Sequence, residues 1–509
     1  MKAKRLFAAA MVTMVATSAR ASVEINASPT KNMNCVGGNC SPTAKNAVLN
    51  TTDLARMLTT GDVKVVTGNG AVTITVSGPL SWTSTHRLTL DANLNVSFRA
   101  RVEVTGRGAV TIITNDGGTG GDLIFFYGGK LDFWDTSANL MINGTQYQLV
   151  SDIPSIASAY ANAPNNYAIL ALTKDYNAAP DGTYEGSAVP TNMEGVFEGL
   201  GHTISNFSAN TTGTAAGFFL ESAVLDDSTI RDLTLSNANI VGGDNSRVGV
   251  LGGALESNII NVHASGSVTG GDDSYIGGLA GIGGAFLKSD SSASVTCARR
   301  CYGGGLAGSG GQFTLSRASG TITVVSGLAS GLVGLLTSQG RVSQSFATGD
   351  VTSVKRQRRV TIGGLIGIAD QDTSIENSYS QSAIRNDGVG PLGGLTGYAK
   401  ADTDVTTSYA TGHIGIEGAR TKVTDGVGGF VGSVQIPVQF RLDYWDTDTS
   451  GTDLGCGASK PAHRCPPIDG LTDVQLKSSL PTGFDPSIWA QSPTINNGYP
   501  YLIANPPPQ

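Results

Sequence analysis

The sequence writes Gly277-Gly278-Leu279-Ala280-Gly281 and then keeps returning to it. The pattern recurs as Gly304-Gly305-Leu306-Ala307-Gly308, Gly363-Gly364-Leu365-Ile366-Gly367 and Gly393-Gly394-Leu395-Thr396-Gly397. Phe replaces Leu in Gly428-Gly429-Phe430-Val431-Gly432, and looser copies stand at Gly217-Phe218-Phe219-Leu220, Gly249-Val250-Leu251-Gly252 and Gly331-Leu332-Val333-Gly334. Numbered by the Gly before the apolar pair, the copies fall at 217, 249, 278, 305, 331, 364, 394 and 429. The steps are therefore 32, 29, 27, 26, 33, 30 and 35 residues. A period in this range marks a solenoid, propeller or array and has to be settled before any local assignment.

A second motif alternates with the first. It is clearest in Ser345-Phe346-Ala347-Thr348-Gly349-Asp350-Val351 and Ser408-Tyr409-Ala410-Thr411-Gly412-His413-Ile414. Val262-His263-Ala264-Ser265-Gly266-Ser267-Val268 and Ser316-Arg317-Ala318-Ser319-Gly320-Thr321-Ile322 fit it, and Ser378-Tyr379-Ser380-Gln381-Ser382-Ala383-Ile384 is a degenerate copy. The alternation holds from Gly266 to Gly432, so the unit is not a by-product of glycine content. The reading is one turn of a β-solenoid per unit, with apolar residues stacked inward and turns about 4.8 Å apart. Gly then serves corners where a Cβ would clash.

Composition agrees with an all-β fold. Charged residues are 14 %, hydrophobics 40 %, Gly 68 of 509 and net charge −7, which excludes a disordered or nucleic-acid-binding chain. Residues 1–21 read as a signal peptide: a basic Met1-Lys2-Ala3-Lys4-Arg5, a short apolar run, and Ala19-Arg20-Ala21 as cleavage site. Later stretches are too short and too polar to span a bilayer as helices. The expected location is therefore extracellular or on the cell surface, with the periplasm as an alternative. Six cysteines form three close pairs, Cys35/Cys40, Cys297/Cys301 and Cys456/Cys465, read as three local disulfides in an exported chain.

The expected organisation is an N-terminal Cys loop and cap over 22–62, β-coils over 63–152, and a helical and loop interruption over 153–200. The repeat block covers 201–440 and a C-terminal cap 441–509. Residues 22–44 read as turn-rich. A short helix is expected over 51–61, capped by Thr51 or Thr52. Thr472-Asp473-Val474-Gln475 matches a capping box before another.

The two repeat motifs strongly resemble the GLUG-motif repeats of bacterial surface and secreted proteins. Asp443-Tyr444-Trp445-Asp446 through Gly498-Tyr499-Pro500-Tyr501-Leu502 resembles the ending common after such repeats, and residues 50–180 resemble filamentous-haemagglutinin-like exoproteins. The resemblance implies a right-handed parallel β-helix with short helical or irregular caps at both ends. It also implies export from a Gram-negative bacterium and an adhesive or structural role at the surface. GLUG repeats accompany an IgA1-protease family too, but its H-E-x-x-H zinc motif does not occur in this sequence.

The candidate contact residues sit in the loops that vary. Gly242-Gly243-Asp244-Asn245 and Gly270-Gly271-Asp272-Asp273 lie 28 residues apart, at the same place in adjacent units. Lys355, Arg356, Arg358 and Arg359 form the one basic run, suited to an anionic polysaccharide or a solvated loop. Asp446-x-Asp448-x-Ser450-Gly451 is similar to the start of a calcium loop but has Gly457 where the twelfth-position acid belongs, so Ca²⁺ is a minor expectation and no cofactor the main one. His263 takes the slot of Phe346, Tyr379 and Tyr409, as a packed or ladder residue. The expected partners are a host or neighbouring cell surface, or a polysaccharide. The expected role is non-catalytic, with a β-helical carbohydrate-active enzyme, a polysaccharide lyase or hydrolase, as the alternative.

Overall fold

The computed structural model describes residues 22–508 apart from 69–70, 118, 127, 223–227, 355–358, 387–388, 417–425, 458–464 and 466. The signal-peptide reading, Lys355, Arg356, Arg358 and His463 lie outside the described residues. The chain divides into two compact units, Met1–Leu149 and Val150–Gln509. Both are all-β, built of parallel strands offset by one repeat.

In the first unit the period-two pattern places apolar residues over one another. Val63 pairs with Leu88, Leu88 with Val110 and Val110 with Leu140. Leu80, Val102 and Leu131 form a second stack, and Ile74, Val96 and Leu123 a third. All of them are buried. The segment expected to be turn-rich is strand-forming instead. Ser22–Asn26 pairs in parallel with both Ala47–Asn50 and Thr73–Val76, and Met33–Val36 pairs antiparallel with Asn39–Pro42. Val23 and Ile25 point inward with full burial, a signal diluted by the polar residues between them. The helix runs Thr51–Leu58, and its cap is Asn50 rather than a threonine, since Asn50 accepts from the Thr52 and Asp53 N–H groups.

The second unit opens with a helix, Ile153–Asn162, capped by Asp152. The interruption expected up to residue 200 ends much earlier. Tyr167–Leu172 pairs in parallel with Glu194–Glu198, Tyr176–Asn177 with Thr203–Ser205, and Thr183–Glu185 with Ser208–Thr211. These strands carry no Gly motif, and their short length in a Tyr- and Ala-rich context hides the period. At the other end pairing continues past 440: Tyr444–Asp446 follows Tyr409–Ala410, and Asp469–Leu471 follows it in turn.

One repeat shows how the motif is used. Tyr275–Gly277 belongs to an eight-stranded parallel sheet, Gly278 and Leu279 form a corner, and Ala280–Leu287 starts the next face. The corner leucines form a column: the Leu279 N–H donates to the Leu306 carbonyl at 2.9 Å, Leu306 to Leu332 at 2.9 Å, and Leu332 to Leu365 at 3.0 Å. Leu365 donates to Leu395 at 2.8 Å, and Leu395 to Phe430 at 2.8 Å. Each of these side chains is fully buried. The glycines are required by close approach. A Cβ on Gly277 would overlap the carbonyl oxygen of Ala280, and one on Gly278 would overlap that of Gly305 in the next repeat. Gly304, Gly305, Gly363 and Gly364 meet the equivalent backbone atoms. The copy at Gly249 slips by one residue against the sequence alignment, because Val248 pairs with Ile276, so Gly249 occupies the Gly277 position rather than that of Gly278.

The second motif follows a different corner. Lys288, Leu315, Gln344, Asn377, Thr407 and Leu442 all have φ between 46° and 57°. The residue after each is Ser289, Ser316, Ser345, Ser378, Ser408 and Asp443, all buried. Each of the five serines accepts, on Oγ, a backbone N–H from the preceding layer at 3.0 to 3.4 Å, beginning with Val262. Asp443 ends the ladder by accepting the Ser408 N–H at 2.9 Å. A buried corner N–H that the strands cannot satisfy is thus paired in every layer.

Candidate functional site

The predicted contact loops stack as expected from their spacing. The Gly271 N–H donates to the Gly243 carbonyl at 3.1 Å, and the Asn245 N–H to the Asp272 carbonyl at 2.7 Å. Asp244 Oδ1 accepts the Asp272 N–H at 2.7 Å, and Asp272 Oδ1 accepts the Arg299 N–H at 3.0 Å. The carboxylates therefore serve as rungs between layers. Asp273 pairs with Arg300, whose guanidinium holds its carboxyl below the ordinary range. An exposed pair of this kind is screened by solvent and contributes little to stability.

All three expected disulfides are present: Cys35–Cys40, Cys297–Cys301 and Cys456–Cys465. Cys297–Cys301 closes the loop of the third stacked turn, next to Arg299 and Arg300. Cys35–Cys40 ties two paired antiparallel strands across their turn. Of the basic run, Arg359 is described: its carbonyl accepts the Gly327 N–H at 3.1 Å, and it bridges to Val389 in the next layer.

In the C-terminal segment Asp446 is fully buried. Its Oδ1 accepts the Asp448 and Thr449 N–H groups at 2.9 and 3.1 Å, and its Oδ2 accepts the Tyr499 hydroxyl at 3.1 Å. The carboxylate that opened the calcium-loop pattern thus closes an Asx turn and anchors a tyrosine. The capping box is as expected, with Thr472 and Gln475 bonded reciprocally ahead of Asp473–Ser478.

Sequence reasoning missed a polar cluster on the outer column that includes His263. The column runs Thr203, Thr234, His263, Asp290, Arg317, Phe346, Tyr379, Tyr409, Tyr444. His263 Nδ1 lies 2.8 Å from Asp290 Oδ2, and an Arg317 guanidinium N–H donates to the same oxygen at 3.1 Å. Burial pushes the Asp290 carboxyl up, but the His263 hydrogen bond and the charges of His263 and Arg317 outweigh it and hold the group below its usual range. Asp290-Ser291 in the slot of Phe346-Ala347 was the available signal, obscured because Ser289–Ala293 lacks the Gly of the motif. Beyond Arg317 the column turns aromatic. Phe346 and Tyr379 stack at 4.7 Å, and Tyr379 and Tyr409 at 5.0 Å.

No family model matches the chain. A 91-residue stretch, 18 % of this chain, is 44 % identical to Halomucin of Haloquadratum walsbyi. The chain spans 1 % of that relative's length. Among solved structures, a protein described as a "putative immunoglobulin A1 protease" from Bacteroides ovatus superimposes with a TM-score of 0.41 at 16 % identity, covering 70 % of this chain and 93 % of that one.

Proposed function

We propose that this chain is an exported, right-handed parallel β-helix of GLUG-type repeats that acts outside the cell as an adhesive or structural element without a catalytic site. The observation that carries the reading is how the ionisable groups of the repeats are used. Asp244 and Asp272 hold the backbone of the next layer, and His263, Asp290 and Arg317 pair along one column. Asp370–Lys400, Glu376–Arg341 and Asp404–Arg441 likewise pair between layers. Side chains arranged as rungs stiffen a long array and leave a patterned outer face, which suits extended contact with a cell surface or polysaccharide. Three disulfides are compatible with an oxidising, extracellular setting. Among the described residues no helix is long and apolar enough to cross a membrane. The basic run 355–359 and the Asp272 loop are the proposed contact regions.

Fractionating the producing cell into medium, surface and periplasm, then comparing attachment of the parent with a strain lacking residues 201–440, tests the reading. Loss of attachment supports it, and unchanged attachment removes the adhesive role. The folded protein is also incubated with a polysaccharide panel, with and without Ca²⁺. Release of reducing or unsaturated ends would replace this reading with the carbohydrate-active one.

A further inference from the structure

Residues 472–508 are joined to the second unit in a way that the repeats are not joined to each other. Each repeat's strands pair with those of the layers on either side, the behaviour of a one-dimensional array coupled through nearest neighbours. The C-terminal segment instead runs back along the outer column and touches five successive layers. The Tyr444 hydroxyl donates to the Thr482 carbonyl at 2.8 Å, and the Tyr409 hydroxyl to that of Pro500 at 2.6 Å. Trp489 Nε1 donates to Asn377 Oδ1 at 3.1 Å, and its ring lies 6.1 Å from Tyr379. The Asn505 amide donates to the Gln344 and Ser316 carbonyls at 3.1 and 3.3 Å, and Arg317 donates to the Pro506 carbonyl at 2.9 Å. The apolar groups trapped beneath, from Phe346 and Tyr379 to Phe484, Trp489 and Leu502, form a core separate from the interior one.

We infer that residues 472–508 are a clamp that makes the layers from Arg317 to Tyr444 open as one cooperative block, while the layers from Thr203 to Asp290 open independently of it. A contact that spans several layers has to be broken in all of them together, whereas a rung between two layers does not. The boundary lies where the clamp ends, at the Asp290–Arg317 pair.

Hydrogen exchange on the full chain tests this, comparing the parent with Trp489→Ala. The decisive peptides are the strands Gly327–Ser330, Val360–Gly363 and Leu392–Gly393, which no described hydrogen bond or ring contact of the clamp reaches. Their protection should fall together by about 100-fold, the scale of truncating a buried Trp, while Thr229–Gly242 and Gly252–Gly270 keep the parent rate. If exchange accelerates only at residues in contact with the clamp, or equally throughout the unit, the inference is wrong. Should Trp489→Ala fail to fold, Asn505→Ala removes two hydrogen bonds at the far end of the clamp. It should give the same pattern at roughly 5- to 10-fold.

Discussion

At the scale of single residues the repeat makes two opposite demands on the backbone. The Gly-Gly corner has ordinary φ values and needs glycine for space, so the demand is written in the sequence as a Gly-Gly pair in five copies and a single Gly in the three looser ones. The other corner needs positive φ, and Lys288, Leu315, Gln344 and Thr407 meet it at a cost of roughly 1–2 kcal/mol each. Nothing in those residue types announces a left-handed conformation; the Ser ladder and strand pairing on either side impose it. Gly278→Ala places a methyl group against the Gly305 carbonyl, and the loss should be near the upper end of the roughly 1–3 kcal/mol range for overpacking. A urea midpoint equal to the parent's would contradict this. Lys288→Asn, at an exposed corner, should stabilise by roughly 0.5–1 kcal/mol, because Asn tolerates the left-handed region. Thermal melting of the two proteins side by side measures it.

At the scale of elements, ladders decide more than strands do. The serine ladder is periodic, and its last rung breaks the chemistry by offering a carboxyl. Burial pushes the Asp443 carboxyl up to about 8, against the backbone N–H bonds from Ser408 and Arg441 that favour its charged form. A raised carboxyl pKa means the folded state holds its proton more tightly than the unfolded chain. The associated stability is complete below about pH 4 and is lost as pH rises through about 8. Denaturant midpoints measured from pH 4 to 9 should fall for the parent and flatten for Asp443→Asn; parallel curves would remove Asp443 as the cause. The capping box at Thr472 was legible because both partners are local, whereas the Asn50 cap was displaced by one residue from the expected threonines. Helix boundaries depend on which residue the strand before it releases, here Ala47–Asn50.

At the scale of the whole molecule, a repeat array should tolerate losing a layer provided the corner motif is rejoined in frame. Deleting the 27 residues 279–305 fuses Gly278 to Leu306 and removes one layer outside the clamp. The product should fold, with the same β-sheet circular dichroism per residue and a melting temperature within several degrees of the parent. Aggregation or loss of cooperative melting would show that the layer is not an interchangeable unit.

The period, the corner glycines, the inward apolar columns and the disulfide pairs could be read from the chain alone. Each is a local or strictly repeating pattern, and repetition multiplies a weak signal by the number of copies. Tertiary structure alone brought His263 and Arg317 onto Asp290, set Asp443 at the end of a serine ladder, and laid Trp489 and Asn505 on layers more than a hundred residues earlier. Those contacts occur once, join residue types with no shared spacing, and depend on which face of each strand points outward. They arise from packing between layers, which no window along the chain contains.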